Sequence, residues 1–278
     1  MWIVGSSAIF VILAVIVFFL VPFSPTSKQF GQVTLGKAAT CAPASGAFTE
    51  ADIAPLPLPL QRYFRYCGYL GTPKMSYMKA SLHDVDFVMS KDKTIKIDYE
   101  QFNLVERPER YALISSSLFG VPFEGLDSFE NGTGRMKGTL AKVIPLFDQQ
   151  GDQMDRACLV TWLAESLMLP NAALQDLVKW EAVDDTHAKA CISWEGISAS
   201  GVFAFDKTGE LLSFLTDDRV AMGMDGKETK AEWSALYRAY QRVNGILQPK
   251  VIQSVWHYAE GDCVYFNENE AAVAIRYE

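Results

Sequence analysis

Chemistry-bearing motifs are scarce in this chain of 278 residues. Cysteine is used sparingly: Cys41, Cys67, Cys158, Cys191 and Cys263 are odd in number, far apart and without a C-x-x-C, so neither a disulfide framework nor a zinc site is indicated. Histidine is scarcer still. His83, His187 and His257 form no i, i+4 pair and meet no carboxylate at ligand spacing, so no metal and no other cofactor is expected. Basic residues are outnumbered, 25 Lys and Arg against 33 Asp and Glu, and they nowhere cluster. That argues against a nucleic-acid partner, because phosphate binding needs a concentrated surplus of positive charge. Internal repeats, low-complexity tracts and blocks of like charge are likewise missing.

Charge is missing altogether from the first 23 residues; the first charged side chain is Lys28. Residues 8–21 are apolar without a break, and Trp2, Ile3 and Val4 extend the run. About 22 residues at ~1.5 Å each match the ~30 Å hydrocarbon core of a bilayer. The pattern predicts a transmembrane anchor over residues 1–23, ended by Pro22 and Pro25. A cleavable signal peptide is the rival reading, disfavoured because no Lys or Arg precedes the stretch and no A-x-A-like site follows promptly. A single-pass membrane protein is therefore expected. Lys28 and Lys37 lean towards a cytoplasmic domain, but two lysines leave the orientation open.

Hydrophobic residues make up 49% of the chain, enough for a packed core. Residues 24–48 are rich in Ser, Thr, Ala, Gly and Pro without a sustained period, and read as a linker. A domain over residues 49–278 opens with Thr49-Glu50-Ala51-Asp52 and a short helix around residues 60–66, with Pro59 in its first turn. Period-two alternation then takes over, as in Ile95, Ile97 and Tyr99 against Lys96, Asp98 and Glu100. Further strands are predicted over 110–118, 126–140 with a turn, 188–194, 200–206, 211–217, 251–258 and 271–277. Asn131-Gly132, Asp225-Gly226 and Lys207-Thr208-Gly209 supply the turns between them. A helix over 155–169, ending at Pro170, and a second helical turn or two over 171–177 interrupt this rhythm. The expected fold class is α+β: a curved antiparallel sheet, a half-barrel-like meander of eight to ten strands, with helices packed on one face.

Catalytic patterns fail one by one. Gly196-Ile197-Ser198-Ala199-Ser200 misses the G-x-S-x-G elbow by its last residue and precedes a strand where a helix is needed. Gly132-x-Gly134 lies between strands, so it is no phosphate loop, and the hairpin accounts for the glycosylation pattern Asn131-Gly132-Thr133. Two polar groupings remain. Glu165 falls among Trp162, Leu163, Leu167 and Met168, and a buried acid needs a partner or a raised pKa. Asp217-Asp218-Arg219 stands at a strand end, with Arg62 and Arg65 available from the opening helix. The aromatic residues, Trp162, Trp180, Trp194, Trp233 and Trp256 among them, exceed what a thin sheet needs for its core; ordinary packing or the wall of an apolar cavity would use them.

The segment Leu56-Pro57-Leu58-Pro59-Leu60-Gln61-Arg62-Tyr63 resembles the L-P-x-P-V-x-R-Y opening of a bacterial domain family of unknown function. Trp162-Leu163-Ala164-Glu165 with Pro170, Gly132-x-Gly134, Gly201-Val202-Phe203-Ala204-Phe205-Asp206 and the tail from Trp233 to Tyr277 are similar to it in the same order. The resemblance implies membrane anchoring and a fold similar to the curved half-barrel of lipoprotein carriers; the family has no established activity to carry over. The family's Pro-Pro-x-Phe-x-Trp segment is poorly matched by Arg107-Pro108-Glu109-Arg110-Tyr111-Ala112.

The leading expectation is a membrane-anchored, non-enzymatic domain that binds an apolar or lipid-like ligand in the concavity of its sheet. Trp162 and Glu165 would line or gate the cavity, and Arg62, Arg65 and Arg219 would pair with Glu165, Asp218 or an anionic head group. The alternatives are a hydrolase with Glu165 or Asp218 as general base, and an interaction module with a solid core.

Overall fold

A computed structural model describes residues 10, 13–14, 17–19, 21, 24–90, 93–118, 120–223, 227–268 and 273–278. Most of the expected anchor and the Asp225-Gly226 turn therefore lie outside the described residues. Among those described, no helix is long and apolar enough to cross a membrane.

The period-two segments form one antiparallel sheet of fourteen strands among the described residues, more than the eight to ten expected. Strands β1 (Tyr77–Ser90), β2 (Lys93–Leu104), β3 (Arg110–Leu118), β4 (Val121–Glu130), β5 (Thr133–Leu140) and β6 (Ile144–Gln149) make a meander. The later strands β7 (Val178–Ala182), β8 (His187–Trp194), β9 (Ile197–Phe205), β10 (Leu211–Thr216), β13 (Glu232–Arg238), β16 (Val251–Tyr258) and β17 (Gly261–Asn267) make the other half, and β17 joins the two by pairing with β1. Strand β18 (Ala274–Tyr277) also pairs with β1. Two small hairpins stand apart, β11 (Val220–Met222) with β12 (Glu228–Lys230) and β14 (Gln241–Val243) with β15 (Ile246–Gln248).

The sheet curls until its two halves touch. Asn131 and Gly132 adopt the positive φ of a tight hairpin between β4 and β5, as their chemistry predicts. That hairpin abuts the β8–β9 turn: a Cβ on Gly132 would stand 2.6 Å from Glu195 Cβ. Gly134 is a second close approach, where a Cβ would meet the Met154 carbonyl oxygen at 2.6 Å.

The short opening helix forms as expected, and a further one precedes it. Thr49 and Asp52 close a capping box on α2 (Glu50–Ile53), and α3 (Leu58–Cys67) carries Pro59 in its first turn and ends on Gly68 in the left-handed conformation. Two other segments depart from expectation. The supposed linker contains helix α1 (Pro25–Thr40), capped by the Ser24 hydroxyl, which accepts from Ser27 N–H at 2.9 Å. Its Gly31 and Gly36 and its lack of an apolar stripe hide it from periodicity; the fold holds it instead. Phe30 and Val33 pack on Phe102, Leu104 and Tyr111, and the Lys37 ammonium lies 2.7 Å from the carboxylate of fully buried Glu109. Burial opposes the charge of Lys37, and its bonds to Glu109 and Glu130 outweigh it, raising its pKa. Helices consequently cover both faces of the sheet, not one.

The helix α4 (Asp152–Glu165) lies in the concavity against β5 from one half and β9 from the other. It stops four residues short of the expected end. Residues 166–177 form successive turns in place of a second helix, because Pro170 offers no N–H and Asn171 spends its side chain on Met75, donating from Nδ2 to the Met75 carbonyl at 2.7 Å.

Candidate functional site

A helix that ends inside a protein leaves carbonyl oxygens without partners. At the C-terminus of α4 three tyrosines supply the donors: Tyr237 to the Ala164 carbonyl (2.7 Å), Tyr63 to Leu167 (2.5 Å) and Tyr277 to Met168 (2.8 Å). Burial pushes the phenols of Tyr63 and Tyr237 far up, so they remain donors at any physiological pH. This clamp places Glu165, the last residue of α4, against β2 and β3. A carboxylate at the negative end of a helix dipole is unfavourable and needs compensation.

Arg110 provides it. Residues alternating along β2 and β3 share the concave face, with Asn103 opposite Arg110 in register. Arg110, its side chain 1% exposed, donates from Nε to Glu165 Oε2 at 3.2 Å, from Nη1 to Asp127 and from Nη2 to the Tyr99 hydroxyl at 2.7 Å. Asn103 Nδ2 donates to the same Glu165 oxygen at 2.7 Å, and Gln101 supports Asn103. Burial disfavours the Arg110 charge, but Asp127 and Glu165 together overcome it and hold the guanidinium protonated. The Cys158 thiol, which points at Asp127, is pushed well up by burial and by that carboxylate, so it is no thiolate nucleophile.

This polar cluster forms one wall of a cavity of about 230 Å³ between α4 and the sheet. The other walls are largely apolar, drawn from β1 (Leu82, Phe87), α4 (Met154, Ala157) and the second half of the sheet (Trp233, Ile252). The half-buried Phe87, Met154, Arg219 and Tyr265 mark the side on which it meets solvent. Arg219 enters from the end of β10. Its guanidinium lies 4.3 Å from the centre of the Trp233 ring and 5.6 Å from that of Trp256, and Nη1 donates to Thr161 at 3.1 Å.

Of the residues singled out in the sequence, the fold brings Glu165, Arg219 and Trp233 to this cavity. Trp162 is buried in the core with its indole N–H on the Leu104 carbonyl at 3.2 Å, and it does not line this cavity. Arg62 donates to the Asp185 carbonyl, Arg65 pairs with exposed Glu50, and Asp218 accepts from the Ser200 N–H and hydroxyl; all three stand away from the cavity. None of these arginines meets Glu165. Arg110, Asp127 and Tyr99 escaped notice, although an arginine in phase with Ala112 and Ile114 on the buried side of a strand is a readable signal.

A Ser–His–Asp series also emerges, on the convex face. Ser234 Oγ lies 2.9 Å from His257 Nε2, and His257 Nδ1 lies 2.8 Å from Asp262 Oδ1. Ser234 is 3% exposed and sits mid-strand in β13, which is paired on both sides, so no two free N–H groups flank it to hold an oxyanion. The series ties β13, β16 and β17 together. Among the described residues no cluster of three metal-ligating side chains forms.

Comparison with known proteins gives one family and a distant structural likeness. A family described as a family of unknown function, DUF6544, matches residues 46–268. The crystal structure of the LolA superfamily protein NE2245 from Nitrosomonas europaea aligns with a TM-score of 0.42 and 8% identity, covering 79% of this chain and 93% of that one. No curated protein sequence matches.

Proposed function

The chain belongs to the DUF6544 family, whose function is unknown, and from that premise we propose that it is a membrane-tethered domain that binds an apolar, lipid-like molecule in the cavity between α4 and the sheet. The observation that carries this reading is the cavity itself: about 230 Å³, walled mainly by apolar side chains and closed at one end by a fully engaged polar cluster. An apolar cavity of ~150 Å³ already stays dry and accepts benzene, so this one has room for a larger hydrophobic group. The role is binding and not turnover, since Glu165 and Asp127 are occupied by Arg110, and Asp218 by Ser200, which leaves none of the three free to act as a general base.

The tether is supported by the apolar composition of residues 1–23 and by a contact at its end. Lys142, in the turn between β5 and β6, donates from Nζ to the main-chain oxygens of Phe18 (2.8 Å) and Val21 (2.5 Å). The adjoining Val143, Ile144 and Leu146 are exposed apolar residues, suited to the interfacial layer of a bilayer. Native mass spectrometry of the protein extracted from cells in gentle detergent tests the proposal: a co-purifying hydrophobic molecule is expected, and recovery of empty protein alone overturns it.

A further inference from the structure

We infer that the bound molecule carries a single anionic head group, taken by Arg219 at the mouth of the cavity, with its apolar chain directed inward; this rests on the binding reading above. Among the described residues two cationic side chains line the cavity, Arg110 and Arg219, and they differ in one respect. Every nitrogen of the Arg110 guanidinium is committed to Glu165, Asp127 or Tyr99. Arg219 makes one bond, to Thr161, and among the described residues no carboxylate lies within ion-pair distance of it. Its Nε is shielded from water and has no hydrogen-bond partner.

Removing a guanidinium nitrogen from water without a replacement bond is costly, and buried polar groups in folded proteins are almost always satisfied. Arg219 itself lines the cavity, and only one of its guanidinium N–H groups is spent, on Thr161. The indole rings of Trp233 and Trp256 hold the guanidinium in place and favour its charge, yet neither supplies an acceptor. The remaining donors suit a carboxylate or a phosphate oxygen pair, which guanidinium binds in a two-pronged fashion. The walls beyond, Leu82, Ile252 and Met154, offer only apolar contact, so the rest of the molecule is a hydrocarbon chain.

The test uses the full chain in lipid nanodiscs, titrated calorimetrically with octanoate, octanol and octylamine after subtraction of empty nanodiscs. Octanoate is expected to bind at least about tenfold more tightly than the other two, the scale of a charge-assisted hydrogen bond. Arg219→Gln should abolish that preference and Arg219→Lys should retain part of it. Octanol or octylamine binding as tightly as octanoate overturns the head-group assignment and leaves the cavity reading standing. Binding of none of the three overturns the cavity reading as well. The comparison among ligands on the unaltered protein decides the matter even if the glutamine variant folds poorly.

Discussion

Arg110 and Glu165 meet across the concave face at 3.2 Å, one from the start of β3 and the other from the end of α4, 55 residues later in the chain. The pair closes the polar end of the cavity and fastens the inserted helix to the first half of the sheet. Both members are well buried, so the ionic bond is effective only while the set of hydrogen bonds around it is complete.

Arg110→Met should therefore lower stability by about 3–5 kcal/mol in urea unfolding, the usual cost of stranding buried charges. Converting Arg110, Asp127 and Glu165 together to Met, Leu and Leu should recover most of that loss. A single variant as stable as the parent would show that the cluster does not hold α4.

Ala157 lines the cavity from α4 and is half-buried. Ala157→Phe should project a ring into the space at a cost of about 1–3 kcal/mol in stability. Retention of octanoate should fall at least tenfold while the circular dichroism spectrum stays unchanged. Undiminished binding would place the ligand elsewhere.

Asp52 gives the domain an acid limit. Its bond to Lys74, aided by Thr49, lowers its pKa from 3.8 to about 2. A depressed carboxylate stabilises the fold above its unfolded pKa and loses that contribution as pH falls through its folded value. Asp52→Asn should cost about 1–2 kcal/mol at neutral pH, discounted for partial exposure. The gap between variant and parent should close between about pH 4 and pH 2 in chemical denaturation. A gap independent of pH would refute the assignment.

The series Ser234, His257 and Asp262 separates binder from hydrolase directly. A fluorophosphonate probe should leave Ser234 unmodified by mass spectrometry, because the serine is buried and has no oxyanion donors. Covalent labelling of Ser234, lost in His257→Ala, would make the protein an enzyme.

The membrane tether predicts that the full chain stays with the membrane fraction through alkaline carbonate washing, whereas a chain starting at Ser24 is released. Changing Val143, Ile144 and Leu146 to serine should weaken the residual vesicle binding of that shorter chain. Release of the full chain by carbonate would remove the tether from the proposal.

Local rules reached far along this sequence. Strand β3 occupies Arg110–Leu118 and β16 Val251–Tyr258, the limits that alternation sets, and the Asn131-Gly132 turn follows from the positive φ those residues accept. The need of Glu165 for a partner was equally legible, since an acid among apolar neighbours cannot stay charged alone. Which arginine answers that need was not. Arg62, Arg65 and Arg219 are equal candidates on paper, and only the curl of the sheet around α4 brings Arg110 to Glu165, while Arg219 reaches the same cavity but bonds Thr161, and Arg62 and Arg65 stand elsewhere. The same closure leaves Gly132 no room for a side chain, the packing of α4 leaves Gly134 none, and on the opposite face an aperiodic segment becomes helix α1 where Glu109 offers Lys37 a buried partner. Periodicity and turn chemistry act within a few residues and are written locally; the cavity, its cations and its polar wall arise from contacts between segments far apart, which exist only after the sheet has closed.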